Sequence, residues 1–288
     1  MKKILINLLK IILLTIIYAL TVTLISGIMI SIGFDFPEME IDEGSSFIQL
    51  LFAGLLSSLF ITYVSLRYIQ LSKSHFFIMV FSILFLSNIS VAIEGTLFTP
   101  ELITKSVFLT LSIQQLLISL VYSMISLFML KRKNSINQAS FRHSERITNI
   151  SKLIPKLFLG GLVYMIMYYT WGWLNYNLFT KPFYDSGVGG LDIPSTFKLI
   201  ESILFRGILI TLSIVPFLLF ALPNNRTKMY EVGMILFVFG GLLPLSLFVS
   251  VFPLEFIAYS LVEIFLQNFI TGMIIYRIYI TDKLLLTT

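Results

Sequence analysis

The sequence predicts an all-α, polytopic membrane bundle with eight transmembrane helices, and three observations predict it. Of 288 residues, 57% are hydrophobic and 12% charged, with mean hydropathy +0.93, which is far more apolar than a water-soluble domain. The apolar residues gather into eight runs of the length, about 20 residues, that a helix needs to cross a hydrocarbon core about 30 Å thick. Basic residues collect in every second connection between those runs.

The runs cover 4–32, 47–66, 76–92, 107–130, 157–179, 199–222, 229–251 and 256–276. The first follows Met1-Lys2-Lys3 but is longer than the apolar region of a signal peptide and lacks a small-residue cleavage site. It reads as a retained helix, with Lys10 snorkelling toward the face of Lys2 and Lys3. The amino end, the connections 67–75, 131–156 and 224–228, and the carboxyl end hold 15 of the 20 Lys and Arg, against the acids Glu145, Glu231 and Asp282. The other side holds Lys105, Lys181 and Lys198 against ten acids, Glu94 among them. Both termini are therefore expected in the cytoplasm of a multi-pass protein of the bacterial plasma membrane.

The polar stretch from Lys131-Arg132-Lys133 to Lys156 divides the chain into a first four-helix unit at 1–133, a basic cytoplasmic linker at 134–152 and a second unit at 153–288. The linker sets orientation or lies on anionic headgroups, where each basic residue is worth about 1 kcal/mol. His75 and His143 fall in cytoplasmic connections.

A shift of 150 residues lays Phe34–Phe47 on Tyr184–Phe197 with four identities and three close substitutions in fourteen positions. A shift of 153 lays Gln114-Gln115 on Gln267-Asn268, each following a similar approach, Phe98-Thr99-Pro100-Glu101-Leu102 and Phe252-Pro253-Leu254-Glu255-Phe256. An even number of spans per half makes the repeats parallel, related by an axis along the membrane normal.

Charges inside the apolar runs are expensive, by about 2.5–3.5 kcal/mol on insertion scales, and therefore face protein or water with a partner. Arg206 and Glu263 each lie seven residues into a run that enters from outside, roughly 10 Å deep at 1.5 Å per residue. Equal depth predicts a buried Arg206–Glu263 ion pair. Gln114 lies at the same depth in the fourth run, and Gln267 shares the face of Glu263 one turn on. Asn88, Glu94, Tyr168, Tyr169, Trp171, Trp173 and Asn175 extend this layer toward the outer surface. The layer reads equally as a set of helix staples or as a ligand site, and the aromatic residues as an interfacial belt. Gly160-Gly161 and Gly240-Gly241 read as close helix approaches.

The stretch Glu201-Ser202-Ile203-Leu204-Phe205-Arg206-Gly207 resembles the first motif of the CPBP family of intramembrane proteases, Glu-Glu-x-x-x-Arg, with Ser202 in place of the second Glu. That family, which includes the CAAX prenyl-protein proteases, carries two further histidine motifs. Here Phe239-Gly240-Gly241-Leu242-Leu243 has the shape of one with leucine at the histidine position, and Asn268 has Ile264 four residues before it. The resemblance implies a diverged protease whose remaining base is Glu201, and the missing histidines imply an inactive one.

The absence of cysteine excludes disulfides, thiolate metal sites, a thiol nucleophile and a lipoprotein anchor. No cofactor, metal or nucleic acid is expected. The leading expectation is a non-enzymatic transporter, permease subunit or receptor, with an outward-facing site at Arg206, Glu263, Gln114 and Gln267 for an anionic small molecule or lipid headgroup. A separate membrane or ATPase subunit is a compatible partner, and a structural or accessory subunit is a further alternative.

Overall fold

The computed structural model describes residues 2–37, 43–69, 71–131, 150–221 and 228–285. All regular structure among them is helical: α1 (Lys2–Ser31), α2 (Glu43–Arg67), α3 (Lys73–Phe98), α4 (Lys105–Leu130), α5 (Ile150–Asn175), α6 (Lys181–Asp185), α7 (Thr196–Phe220), α8 (Lys228–Phe237), α9 (Leu243–Ser246) and α10 (Leu254–Leu285), with one 3₁₀ turn (Val188–Gly190). Two π-helical turns fuse short pieces into longer rods. Tyr176–Thr180 joins α5 to α6, and Val238–Leu242 joins α8 to α9. Among the described residues, eight helical rods are long and apolar enough to cross a membrane.

The helices start where side chains satisfy free amides. Ser72 Oγ accepts from His75 N at the start of α3, and Thr104 Oγ1 accepts from Val107 N at the start of α4. The first cap moves His75 out of the expected connection and into α3, where its ring stacks on Phe220 at 4.1 Å. The basic linker expected at 134–152 lies almost wholly outside the described residues.

The rods run up and down. At one end, His75 at the start of α3 meets Phe220 at the end of α7, and Lys156 near the start of α5 lies 5.2 Å from the Tyr279 ring near the end of α10. At the opposite end, Asp192 N donates to the carbonyl of Phe98 at 2.8 Å, and Phe183 packs on Phe256. The first is called the amino-terminal end and the second the far end. Laterally, α1 packs on α2 and α4, and α3 on α4; correspondingly, α5 packs on α7 and α10, and α8 on α10. The two groups meet through α3 against α7 and through α2 against α9.

Beside an apolar core, small polar residues are buried and large apolar ones are exposed. Phe128, Leu254 and Phe197 are more than 70% exposed on helix flanks, whereas Ser57, Ser58, Ser87, Ser90, Ser123 and Ser213 are fully buried between helices. Exposed apolar flanks of this kind need a cover other than water. The closest approaches use glycine. A β-carbon at Gly207 of α7 would stand 2.8 Å from the carbonyl oxygen of Gly161 in α5, and one at Gly160 would stand 2.5 Å from Thr211 Oγ1. Gly241 similarly admits Ile264 and Asn268 of α10. Both glycine pairs thus stand at close helix approaches.

Gly207→Ala should force α5 and α7 apart and cost about 1–3 kcal/mol, read as a lower midpoint of thermal unfolding in detergent. Gly27→Ala, with nothing within 4 Å of its added methyl, should leave that midpoint unchanged or slightly raised.

Candidate functional site

The far half of the bundle holds one buried guanidinium between two carboxylates. Arg206 stands on the face of α7 turned to α3 and α5, and its side chain is 4% exposed. Helical side chains lean toward the helix N-terminus, which here lies at the far end, so the long arginine stem climbs toward the last turns of α3. There Arg206 Nη1 meets Glu94 Oε1 at 2.6 Å. Tyr168 Oη donates to the same Glu94 oxygen at 3.1 Å. The guanidinium carbon lies 5.5 and 5.8 Å from the ring centroids of Tyr164 and Tyr168, within cation–π range. Arg206 Nε has no hydrogen-bond partner.

The expected Arg206–Glu263 pair is therefore replaced by Arg206–Glu94. The depth argument gave the right level but not the right neighbour, because α5 lies between α7 and α10 and touches both extensively. Glu263 remains within electrostatic reach of Arg206 and Glu94. Its own hydrogen bond is to Asn175, whose Nδ2 donates to Oε2 at 2.6 Å. Glu263 Oε1 stands over Gly172, where a β-carbon would come within 3.1 Å of it. Tyr164, Tyr168, Gly172 and Asn175 recur at spacings of four, four and three, so one stripe of α5 serves the whole cluster. Gln267, 2% exposed, lies one turn beyond Glu263 beside the Tyr164 hydroxyl.

Gln114 is not part of this cluster. It reaches α1, where its Nε2 donates to Ser26 Oγ at 2.6 Å, on the other side of the bundle. Asn88 bonds back to the Leu84 carbonyl on its own helix. Glu201 is exposed, five residues before Arg206 and hence about 140° around α7 from it. Trp173 is 65% exposed, as a belt residue would be. Toward the far end the cluster is roofed by rings: Tyr184 packs edge-on against Phe98, Tyr176 and Phe256, with centroids 5.5–6.3 Å apart.

The sequence places Glu94 both among the outside acids and along the polar layer, but not as the partner of Arg206. Ending the third run at residue 92 made Glu94 one of the outside acids, whereas α3 continues to Phe98 and keeps Glu94 on the helix. Among the described residues no group of three His, Cys, Asp or Glu is placed to hold a metal ion.

A second polar cluster closes the amino-terminal end, and sequence reasoning missed it by treating its members as loop charges. Lys228, 3% exposed, donates to Tyr68 Oη at 2.7 Å and to Glu231 Oε1 at 3.0 Å, while Tyr68 Oη donates to Glu231 Oε2. Lys131 Nζ donates to the Tyr68 carbonyl at 2.9 Å, tying the end of α4 to the end of α2. Burial brings the Lys131 ammonium down to about 8, and burial together with Glu231 raises the Tyr68 phenol above its ordinary range.

Set against known protein families, curated proteins and solved structures, the chain matches none of them.

Glu94→Ala leaves the Arg206 charge buried without its acid and should cost about 3–5 kcal/mol of stability. Glu263→Gln keeps an acceptor for Asn175 and should stay within about 1 kcal/mol of the parent protein. Chemical denaturation in mixed micelles distinguishes them. At the other end, the unfolded chain holds the Lys131 proton up to its ordinary 10.5 while the folded chain releases it near 8. Folding is therefore favoured more as pH rises through that window. The stability difference between the parent protein and Lys131→Met should change across pH 8–10.5 and stay flat below it.

Proposed function

We propose that the protein is a non-enzymatic membrane transport subunit or receptor whose outward-facing site takes the acidic group of a small molecule or lipid headgroup at Arg206. The observation that carries this reading is the state of the guanidinium. It is almost wholly buried, it meets a single carboxylate, and its Nε is left without an acceptor. An incoming carboxylate or phosphate meets unused donors of a planar fork suited to it. Glu94 holds Arg206 in the empty site, and the ligand takes over that role while Glu94 keeps its bond from Tyr168. Gln267 and Glu263 complete the site, and Gln114 does not belong to it.

The reading places the protein across a bacterial plasma membrane, with the amino-terminal end of the bundle in the cytoplasm and the Arg206 cluster in the outer half of the bilayer. The exposed apolar flanks of the helices, the small polar residues buried between them and the alternation of basic connections support it. It further takes the chain as two parallel four-helix repeats. Residues 153 apart recur in like roles: Gly54 and Ser58 of α2 face Thr15 of α1, and Gly207 and Thr211 of α7 face Gly161 and Gly160 of α5. Gln114 reaches across to the first helix of its half, and Gln267 to the first helix of its own. A diverged CPBP-type protease is not favoured, since Glu201 is exposed and stands apart from the polar cluster.

Because the chain has no cysteine, single cysteines report topology without background. A membrane-impermeant maleimide should label Ser186→Cys in intact cells and His143→Cys only after permeabilisation, and the reverse pattern would overturn the orientation. Recognition and stapling separate by charge exchange. The double variant Arg206→Glu with Glu94→Arg should recover most of the stability lost in either single variant, yet bind short-chain phosphatidylglycerol at least tenfold more weakly than the parent protein. Undiminished binding would reduce Arg206 to a staple.

A further inference from the structure

The polar cluster carries one acid more than a helix staple requires. Glu94 already neutralises Arg206, so among the described residues the Glu263 carboxyl is left without a cation in salt-bridge contact. A ligand bearing only negative charge would bring it none. The arrangement around Glu263 answers to positive charge instead. Its Oε2 is held by Asn175, and among the described residues no hydrogen bond reaches its Oε1. Gly172 keeps that oxygen uncovered, since any side chain there would begin 3.1 Å from it. The Tyr168 ring, one turn away on α5 and already facing the guanidinium, has its edge 4.0 Å from where a Gly172 β-carbon would stand.

Resting on the reading of Arg206 as an anion clamp, we propose that the ligand is zwitterionic, its acidic group taken by Arg206 and its ammonium by Glu263 Oε1. Arg206 is engaged at the level of Tyr164 and Tyr168, and Glu263 at the level of Gly172 and Asn175. Measured from Tyr168, Gly172 and Asn175 lie four and seven residues on, between one and two turns along α5, or about 6–10 Å. Hydrogen bonds of about 2.8 Å at each end leave a few ångströms for the ligand's own separation of charge. An amino acid or a phosphoethanolamine group has that separation. The zwitterion brings its own counter-charge, so the net charge of the site does not change on binding.

The test uses the full-length protein in micelles of an uncharged maltoside detergent. One arm titrates glycine and β-alanine against acetate and propionate, following the thermal midpoint. The other titrates short-chain phosphatidylethanolamine against short-chain phosphatidylglycerol, following retained lipid by native mass spectrometry. The expected result is at least a tenfold preference for the zwitterion in one arm, and that arm identifies a free solute or a headgroup as its source. Glu263→Gln should weaken zwitterion binding at least tenfold and strengthen monoanion binding several-fold, because it removes the ammonium's partner and the anion's repulsion together. A purely structural Glu263 would move both in the same direction. Gly172→Ala, which crowds Oε1 without touching a charge, should weaken the zwitterion alone. Equal binding of zwitterion and monoanion, or a preference that survives Glu263→Gln, overturns the proposal while leaving the anion clamp standing. Loss of both classes in the parent protein overturns the clamp as well.

Discussion

The far half of the bundle is organised by the contact between Arg206 and Glu94, 2.6 Å long, which joins a buried guanidinium to a partly exposed carboxylate. A guanidinium cannot shed its charge as a lysine does, so wherever it is buried the surroundings must supply an acid and faces that tolerate a cation. The consequences can be followed outward from it. α3 and α7 lie against each other because they carry the two partners, and this interface is where the two four-helix groups join. α5 crosses α7 closely enough to lay Tyr164 and Tyr168 against the guanidinium because Gly161 and Gly207 leave no side chains between the backbones. The same stripe of α5, continued through Gly172 and Asn175, then sets the position of Glu263 on α10.

How much of this was legible in the sequence depends on which coordinate each residue type reports. Apolar length reports the number of rods, and the eight runs all correspond to helices long enough to cross a membrane. Counting from a run's end reports height along the bundle, and Arg206 and Glu263 do fall in one electrostatic neighbourhood. Azimuth is a different matter. Gln114 shares the counted height yet bonds Ser26 on α1, because nothing in its run says which neighbour that face meets. Gln267 was placed correctly beside Glu263 because two residues four apart on one helix share a face whatever the helix packs against.

Two features had no usable signal. The π-helical turns at Tyr176–Thr180 and Val238–Leu242 change the facing of everything beyond them by inserting a residue into a turn, and no residue type demands that. The Lys228–Tyr68–Glu231 cluster joins residues more than 150 positions apart, and each of its members alone reads as an ordinary solvated residue near a connection. Buried together, they close the amino-terminal end as firmly as Arg206 and Glu94 close the interface between α3 and α7.

A staple and a binding site differ in what they leave unsatisfied. Were Arg206 and Glu94 the whole of the polar layer, the pair would tie α3 to α7 with no charge left over, much as Ser26 and Gln114 tie α1 to α4 with none at all. The second half instead retains Glu263 within the field of that pair, secured by an amide that satisfies one of its two oxygens. A leucine in its place would spare the bundle the cost of burying a carboxyl but would leave the buried Asn175 amide without its acceptor. Joining α5 to α10 through Asn175 accounts for one of the Glu263 oxygens, and the neutralisation of Arg206 by Glu94 leaves the other without a partner among the described residues. On the proposed reading, that second oxygen receives positive charge arriving from outside the chain, alongside the acidic group that the guanidinium next to it is shaped to receive.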